Sequence, residues 1–205
     1  MRLARGTAHI VGASALLTLL AAALEFGLPG IPGGLATVAF LALLTLFLAN
    51  FFRDPERALG EGLVSPADGK VTEVREAEDG GAVVVIFMNV HDVHVNRAPC
   101  DGTVLRRAYA PGSHMPAWKK DSERNERMTW DLDTPHGPVR VVQIAGLLAR
   151  RIVPYMDEGA RVRKGDRLGM IRLGSRVDVH LPPGLAPAVE VGDKVLAGTT
   201  TLAAA

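Results

Sequence analysis

The chain has 205 residues, a formal net charge of +1 and a single cysteine, Cys100. That length allows one domain with a substantial core besides any membrane segment. The near-neutral charge balance excludes nucleic-acid binding driven by global charge, and the lone cysteine excludes an internal disulfide framework and argues against a cysteine-based zinc site.

Hydrophobic residues make up 48% of the chain, and the excess lies in two apolar runs at its start. Ala8–Leu24 carries His9 as its one titratable residue, and Leu35–Phe52 carries no charge. Each has about the minimum length for a helix crossing ~30 Å of hydrocarbon. The connection, residues 25–34, reads EFGLPGIPGG, and its Gly and Pro predict a tight turn. Arg2 and Arg5 precede the first run, Arg53 and Arg57 follow the second, and the connection holds only Glu25. By the positive-inside rule both ends are cytoplasmic and the connection faces out. The expectation is a membrane-anchoring helical hairpin over residues 1–52, in the cell membrane, with residues 53–205 as a second domain on the cytoplasmic side. A re-entrant hairpin is a second reading of the same runs. A cleaved signal peptide fits poorly, because a second apolar run follows with no good cleavage site between them.

From residue 53 onward long helical periodicity is absent. GAVVVIFM (81–88) and GPVRVVQIAG (137–146) are β-branched runs bounded by Gly and turn residues, which predict buried strands. Residues 144–156 suit either strand or helix. Two pairs of segments echo one another: SPADGKVTEV (65–74) with APCDGTVLRR (98–107), and EGARVRKGDRLGMI (158–171) with AVEVGDKVLAGT (188–199). Their Asp-Gly and Gly-Asp pairs predict tight hairpin turns between short strands. The fold class expected is mainly β, a barrel-sandwich hybrid like that of lipoyl and biotinyl carrier domains. Carrier function needs a modifiable lysine on an exposed tip. Lys70 and Lys194 sit near turns but lack the flanking sequence such carriers use. Cys100, in a Pro-Cys-Asp-Gly turn, reads as a small packing residue. Residues 111–127, PGSHMPAWKKDSERNER, have no strand or helix period. Trp118, Lys119 and Lys120 there suit either a solvated loop or a flap against an anionic bilayer.

The segment RLGSRVDVHLP (172–182) carries the chemistry. Gly174 can adopt backbone angles closed to other residues, which permits a strained peptide bond with the Ser175 hydroxyl close to the Gly174 carbonyl. Attack by that hydroxyl moves the acyl group from nitrogen to oxygen, and β-elimination from the ester then cuts the chain. A Gly-Ser pair alone carries little weight, so the argument rests on what accompanies it. The pieces are FFRDPER (51–57), SPADGKV (65–71), HDVHVNRAPCDG (91–102), RNER (124–127) and LGSRVD (173–178). In this order, behind a double apolar run, they resemble the short, compact branch of the phosphatidylserine decarboxylase family over most of residues 50–205.

The resemblance implies a proenzyme that cleaves itself between Gly174 and Ser175 into a β chain, 1–174, and an α chain, 175–205. It implies a covalent pyruvoyl cofactor made from Ser175. It also implies conversion of membrane phosphatidylserine to phosphatidylethanolamine through an imine, with no metal. The two cleaved pieces are each other's partners, a homodimer is the assembly, and nucleic acid is not a partner. Carried over by motif, Ser175 is the nucleophile, Asp68 and His94 are the carboxylate and imidazole acting with it, and Asp92 is a second carboxylate candidate. A histidine that takes the hydroxyl proton and a carboxylate that orients it is the logic of any such set. His91 reads as a surface or structural residue, His114 and His136 as loop residues, and His180 as a strand position close to the site. The chain departs from the family pattern twice. Arg97 stands where longer members have a second histidine, and Arg176 stands where Leu-Gly-Ser-Thr is usual.

Overall fold

The structure is a computed structural model that describes residues 2–28, 32–112, 125–146, 151–172 and 175–204. Two compact units divide the chain, residues 1–56 and 57–205. The first unit is a pair of helices, α1 (Ala8–Gly27) and α2 (Gly34–Phe51). At 1.5 Å per residue they are about 30 and 27 Å long, enough by length and composition to cross a bilayer. Leu16, Leu19, Phe40, Leu43 and Leu46 point outward, whereas Ser14, Thr18 and Thr45 meet between the helices. The Ser14 and Thr45 hydroxyls lie 2.8 Å apart, and Thr18 and Thr45 3.1 Å apart. Hydroxyls that would otherwise face hydrocarbon thus satisfy one another and set the pairing of the hairpin. Its open end is stitched by Ala4 N donating to Phe52 O and Asp54 N to Arg2 O, both 2.8 Å.

The second unit is mainly β, as expected, and all its strand pairs are antiparallel. In chain order the strands are β1 (Leu63–Val64), β2 (Gly69–Glu76), β3 (Ala82–Met88), β4 (Val95–Arg97), β5 (Gly102–Ala110), β6 (Arg127–Thr134) and β7 (Gly137–Ala145). They continue with β8 (Ile152–Pro154), β9 (Arg161–Val162), β10 (Arg167–Ile171), β11 (Ser175–Leu181), β12 (Lys194–Val195) and β13 (Thr201–Ala203). A curled eight-stranded sheet runs β12-β2-β3-β11-β7-β6-β5-β9, beside a three-stranded sheet β4-β10-β8 and a pair β1-β13. Two-residue alternation sends Val84, Ile86 and Met88 of β3, Trp130 and Leu132 of β6, Val139 and Val141 of β7, and Val177, Val179 and Leu181 of β11 into one core. Each such side chain contributes on the order of 1.5–3 kcal/mol by leaving water. The two β-branched runs become β3 and β7. The ambiguous stretch 144–156 is strand at both ends, in β7 and β8, and residues 147–150 lie outside the described residues.

The Asp-Gly and Gly-Asp turns depart from expectation. None in the echoed segments closes a hairpin: β1 pairs with β13 rather than β2, β4 and β9 pair with β10 and β5, and β12 pairs with β2 rather than β11. The turns at 68–69, 101–102 and 165–166 instead pass the chain from one sheet to another, the turn at 192–193 leads from β11 to β12 within the eight-stranded sheet, and the echoed segments bond to one another across the unit. Arg97 N donates to Pro66 O at 2.8 Å, Ala98 N to Asp166 O at 2.7 Å, Gly165 N to Ala98 O at 2.9 Å and Gly198 N to Ser65 O at 2.7 Å. Lys164 N donates to Asp101 Oδ1 at 2.7 Å. A local turn signal reads backbone shape and not which strand the chain will meet next, so it mistook turns between unpaired strands for hairpins. At Gly69 (φ +152°) the reason for glycine is also tertiary, because a Cβ would lie 2.2 Å from Phe87 O.

Candidate active site around Ser175

Ser175 is the first residue of β11, a strand hydrogen-bonded on both sides, with Met88 of β3 and Ala145 of β7 as its register partners. Alternation along β11 puts Ser175 on the core face with Val177, Val179 and Leu181, and the residue is wholly buried, 0% exposed. Its hydroxyl donates to Met88 Sδ at 3.4 Å. Leu173 and Gly174, the other half of the expected cleavage bond, lie outside the described residues.

His94 is also 0% exposed. Its Nδ1 lies 2.9 Å from Asp92 O. A carbonyl oxygen only accepts, so Nδ1 carries the proton and the basic site of the neutral ring is Nε2. The His94 carbonyl accepts from Ile171 N at 3.2 Å, which sets the His94 loop against the chain four residues ahead of Ser175. Asp68, 3% exposed, is held from three directions. Arg57 Nη2 donates to Oδ2 at 2.7 Å, Val93 N to Oδ2 at 3.4 Å and Ala197 N to Oδ1 at 2.8 Å. The carboxylate therefore grips the residue next to His94 in sequence. Asp92 faces its own loop: Oδ2 accepts from Asn89 N at 2.7 Å, and Oδ1 lies 3.8 Å from the exposed His91 ring. It touches His94 through its main-chain oxygen rather than its carboxylate.

Arg176 follows Ser175 and, by alternation, points to the other face of the sheet. There its guanidinium forks onto Asp178, Nε to Oδ1 at 2.6 Å and Nη2 to Oδ2 at 2.7 Å. Burial pushes the Asp178 carboxyl above the ordinary range and outweighs the opposing pull of Arg176. The residue that departs from Leu-Gly-Ser-Thr is thus engaged away from the serine. His180 corrects an expectation: five residues along β11, at ~3.4 Å per residue, it sits about 17 Å from Ser175 and on the opposite face. Burial lowers its pKa below the ordinary histidine value. Arg97, at the second-histidine position, is buried and donates to Gly165 O at 3.3 Å. Cys100 is buried, and loss of hydration pushes its thiol pKa up, which suits a packing role. His114 and the Trp118-Lys119-Lys120 cluster lie outside the described residues.

Several neighbours of Ser175 carry no local signal of their role. Asn125 Nδ2 donates to Ala145 O at 2.8 Å, Ala145 N to Glu126 O at 2.9 Å, and Ile152 N to Glu126 Oε1 at 3.1 Å. The RNER piece thereby braces the strand position opposite Ser175. Met88, Asn96 and Gln143 also line the serine's side of the core, all wholly buried. Only Asn96 lies inside a recognised piece, and nothing in that piece marks it out.

The phosphatidylserine decarboxylase family model matches residues 44–203. A phosphatidylserine decarboxylase proenzyme of Thermobifida fusca is 56% identical over 156 residues, 76% of this chain and 72% of the relative. One of Streptomyces avermitilis is 46% identical over 204 residues, 98% and 93% of the two chains. A Methanosarcina mazei chain bearing an archaetidylserine decarboxylase proenzyme name is 42% identical over 206 residues, 98% of this chain and 96% of its own. The match takes in the serine strand, the His94 loop and the Asp68 turn together, and the chain belongs to the phosphatidylserine decarboxylase family.

Proposed function

We propose that this chain is a membrane-anchored proenzyme that cuts itself between Gly174 and Ser175. It then removes carbon dioxide from the serine head group of phosphatidylserine, leaving phosphatidylethanolamine. The observation that carries the reading is Ser175 itself: a wholly buried hydroxyl on the first residue of a central strand, in a chain of this family.

In the cutting step the Ser175 oxygen attacks the Gly174 carbonyl carbon while its proton passes to a base. The C–N bond breaks, the nitrogen takes up a proton, and the acyl group becomes an ester on Oγ. Loss of the Ser175 α-proton expels the Gly174 carboxylate and leaves dehydroalanine. Water then displaces ammonia, and a pyruvoyl group remains on the new N-terminus. His94 is the base, acting through Nε2 because Asp92 O holds Nδ1. Asp68 keeps the His94 loop in place through the Val93 amide. The pyruvoyl group would use the three carbons of Ser175, so it would take the place of that side chain on the core face of β11, flanked by buried Met88 and Ala145. When present it supplies an electron-withdrawing carbonyl that takes the charge left as carbon dioxide departs. In this reading protonated His94 returns a proton to the substrate carbon. The 1–174 and 175–205 pieces stay associated because β11 remains laddered to β3 and β7.

The two apolar helices keep the catalytic unit at the lipid, and the arginines flanking them put it on the cytoplasmic side. Relatives' names divide between phosphatidylserine and archaetidylserine, which share the serine head group, and the chemistry above touches only that group. The test is Ser175→Ala. Intact mass and a denaturing gel should show one uncut chain with no release of carbon dioxide from serine phospholipid, whereas the wild-type chain gives two pieces, the smaller with a blocked N-terminus. Normal cutting of the variant would reject the reading.

A further inference from the structure

Four buried polar contacts run in one line through the core and end on the serine. Trp130 Nε1 donates to Gln143 Oε1 at 2.7 Å, and Gln143 Nε2 donates to Asn96 Oδ1 at 2.7 Å. Asn96 Nδ2 donates to Met88 Sδ at 3.7 Å, and the Ser175 hydroxyl donates to the same sulfur at 3.4 Å. All five residues are 0% exposed. The two longer distances are ordinary for sulfur, whose radius exceeds that of oxygen. The line crosses β6, β7, β4, β3 and β11, and so joins both larger sheets.

Chemistry fixes its direction. An indole N–H only donates, so the Gln143 atom facing Trp130 is the carbonyl oxygen, and its amide nitrogen faces Asn96. The Asn96 oxygen accepts that nitrogen, and its own N–H groups turn to Met88. A thioether only accepts, so the serine must donate to it. Gly169 makes room for the line: a Cβ there would lie 3.3 Å from Gln143 Oε1 and 2.7 Å from Val153 O. Burying two amides and an indole N–H is unfavourable unless each finds a partner, and an apolar core would hold the sheets together without that demand.

We propose that Met88, Asn96 and Gln143 are positioning residues for self-cleavage, ordered from the Trp130 indole and acting on the Ser175 oxygen. The inference rests on the reading of Ser175 as the self-cleaving nucleophile. A weak acceptor suits the task. It holds the hydroxyl in one rotamer, with the oxygen lone pairs turned away from the sulfur, yet releases the proton readily when a base approaches. Asn96 keeps the flexible thioether from swinging out of place, and Gln143 keeps Asn96 in its one useful orientation.

The experiment follows cutting of the freshly synthesised full chain in detergent on a denaturing gel, with and without hydroxylamine, which cleaves esters. Met88→Leu keeps the volume and removes the acceptor. It should slow cutting about tenfold, equivalent to ~1.4 kcal/mol of barrier, with the melting midpoint of the corresponding Ser175→Ala chain little changed. Hydroxylamine should not restore the rate, because the line acts on ester formation. Asn96→Asp, which keeps the acceptor for Gln143 but loses the N–H aimed at Met88, should move the same way. Wild-type cutting by Met88→Leu would overturn the proposal. So would restoration by hydroxylamine, or a loss of cutting that merely follows a fall in melting midpoint. Cutting by Ser175→Ala alone would instead reject the underlying assignment of the nucleophile.

Discussion

Asp68 accepts from a residue 11 positions before it and from two amides 25 and 129 positions after it. The carboxylate therefore ties together segments far apart in the chain, one of them the Val93 amide next to His94 in sequence. The two residues should separate experimentally. His94→Gln, which keeps most of the buried volume, should slow cutting by about 10²–10⁴, the range for removing a general base, with only a small change in melting midpoint. Asp68→Ala should slow cutting and also destabilise by about 3–5 kcal/mol, because it strands the part-buried Arg57 guanidinium and two amides. Cutting rates on a gel and chemical unfolding, followed by fluorescence of the buried Trp130, would check both. Wild-type cutting by both variants would remove them from the site.

At the scale of the element, β11 divides its labour by alternation. Ser175, Val177, Val179 and Leu181 face the core, and Arg176, Asp178 and His180 face the other way. The Arg176–Asp178 fork is nearly buried, with side chains 12% and 9% exposed, so much of its attraction only offsets lost hydration. The raised Asp178 pKa agrees, since burial acts more strongly than the adjacent guanidinium. Asp178→Ala in the uncut Ser175→Ala chain should cost about 3 kcal/mol by removing both hydrogen bonds that Asp178 accepts from the buried guanidinium. Replacing both partners, Arg176→Met with Asp178→Leu, should be near neutral. Thermal midpoints would decide, and a double variant as unstable as the single one would show that the pair contributes net stability.

For the whole molecule, the apolar helices and the residues around Ser175 fall in separate units. The contacts described for Ser175, His94, Asp68 and the line to Trp130 all fall within residues 57–205, and Arg57, which holds Asp68, is the first residue of that unit. A chain beginning at Arg57 should therefore cut itself at close to the full-length rate yet fail to sediment with phospholipid vesicles. Loss of cutting in that chain would mean that the helices complete the catalytic unit. Retained sedimentation would place the lipid contact in the β unit.

Signals carried by neighbours in the chain are legible without a fold. Uninterrupted apolar runs disclose the helices, β-branched runs disclose β3 and β7, and the short motifs single out Asp68, His94 and Ser175 and point to the family. Partners were another matter. The echoes at 65–74, 98–107, 158–171 and 188–199 are visible in the sequence, but that they bond to one another across sheets is decided only when the strands choose neighbours. His180 looked close to Ser175 because five positions are few in a sequence, and a strand stretches and alternates them to the opposite face. Met88, Asn96 and Gln143 carry no local mark at all. Met88 meets Ser175 across 87 positions and Asn96 meets Gln143 across 47. Side-chain hydrogen bonds at such separations depend on register between strands, which the packing of the whole core sets and no single segment contains.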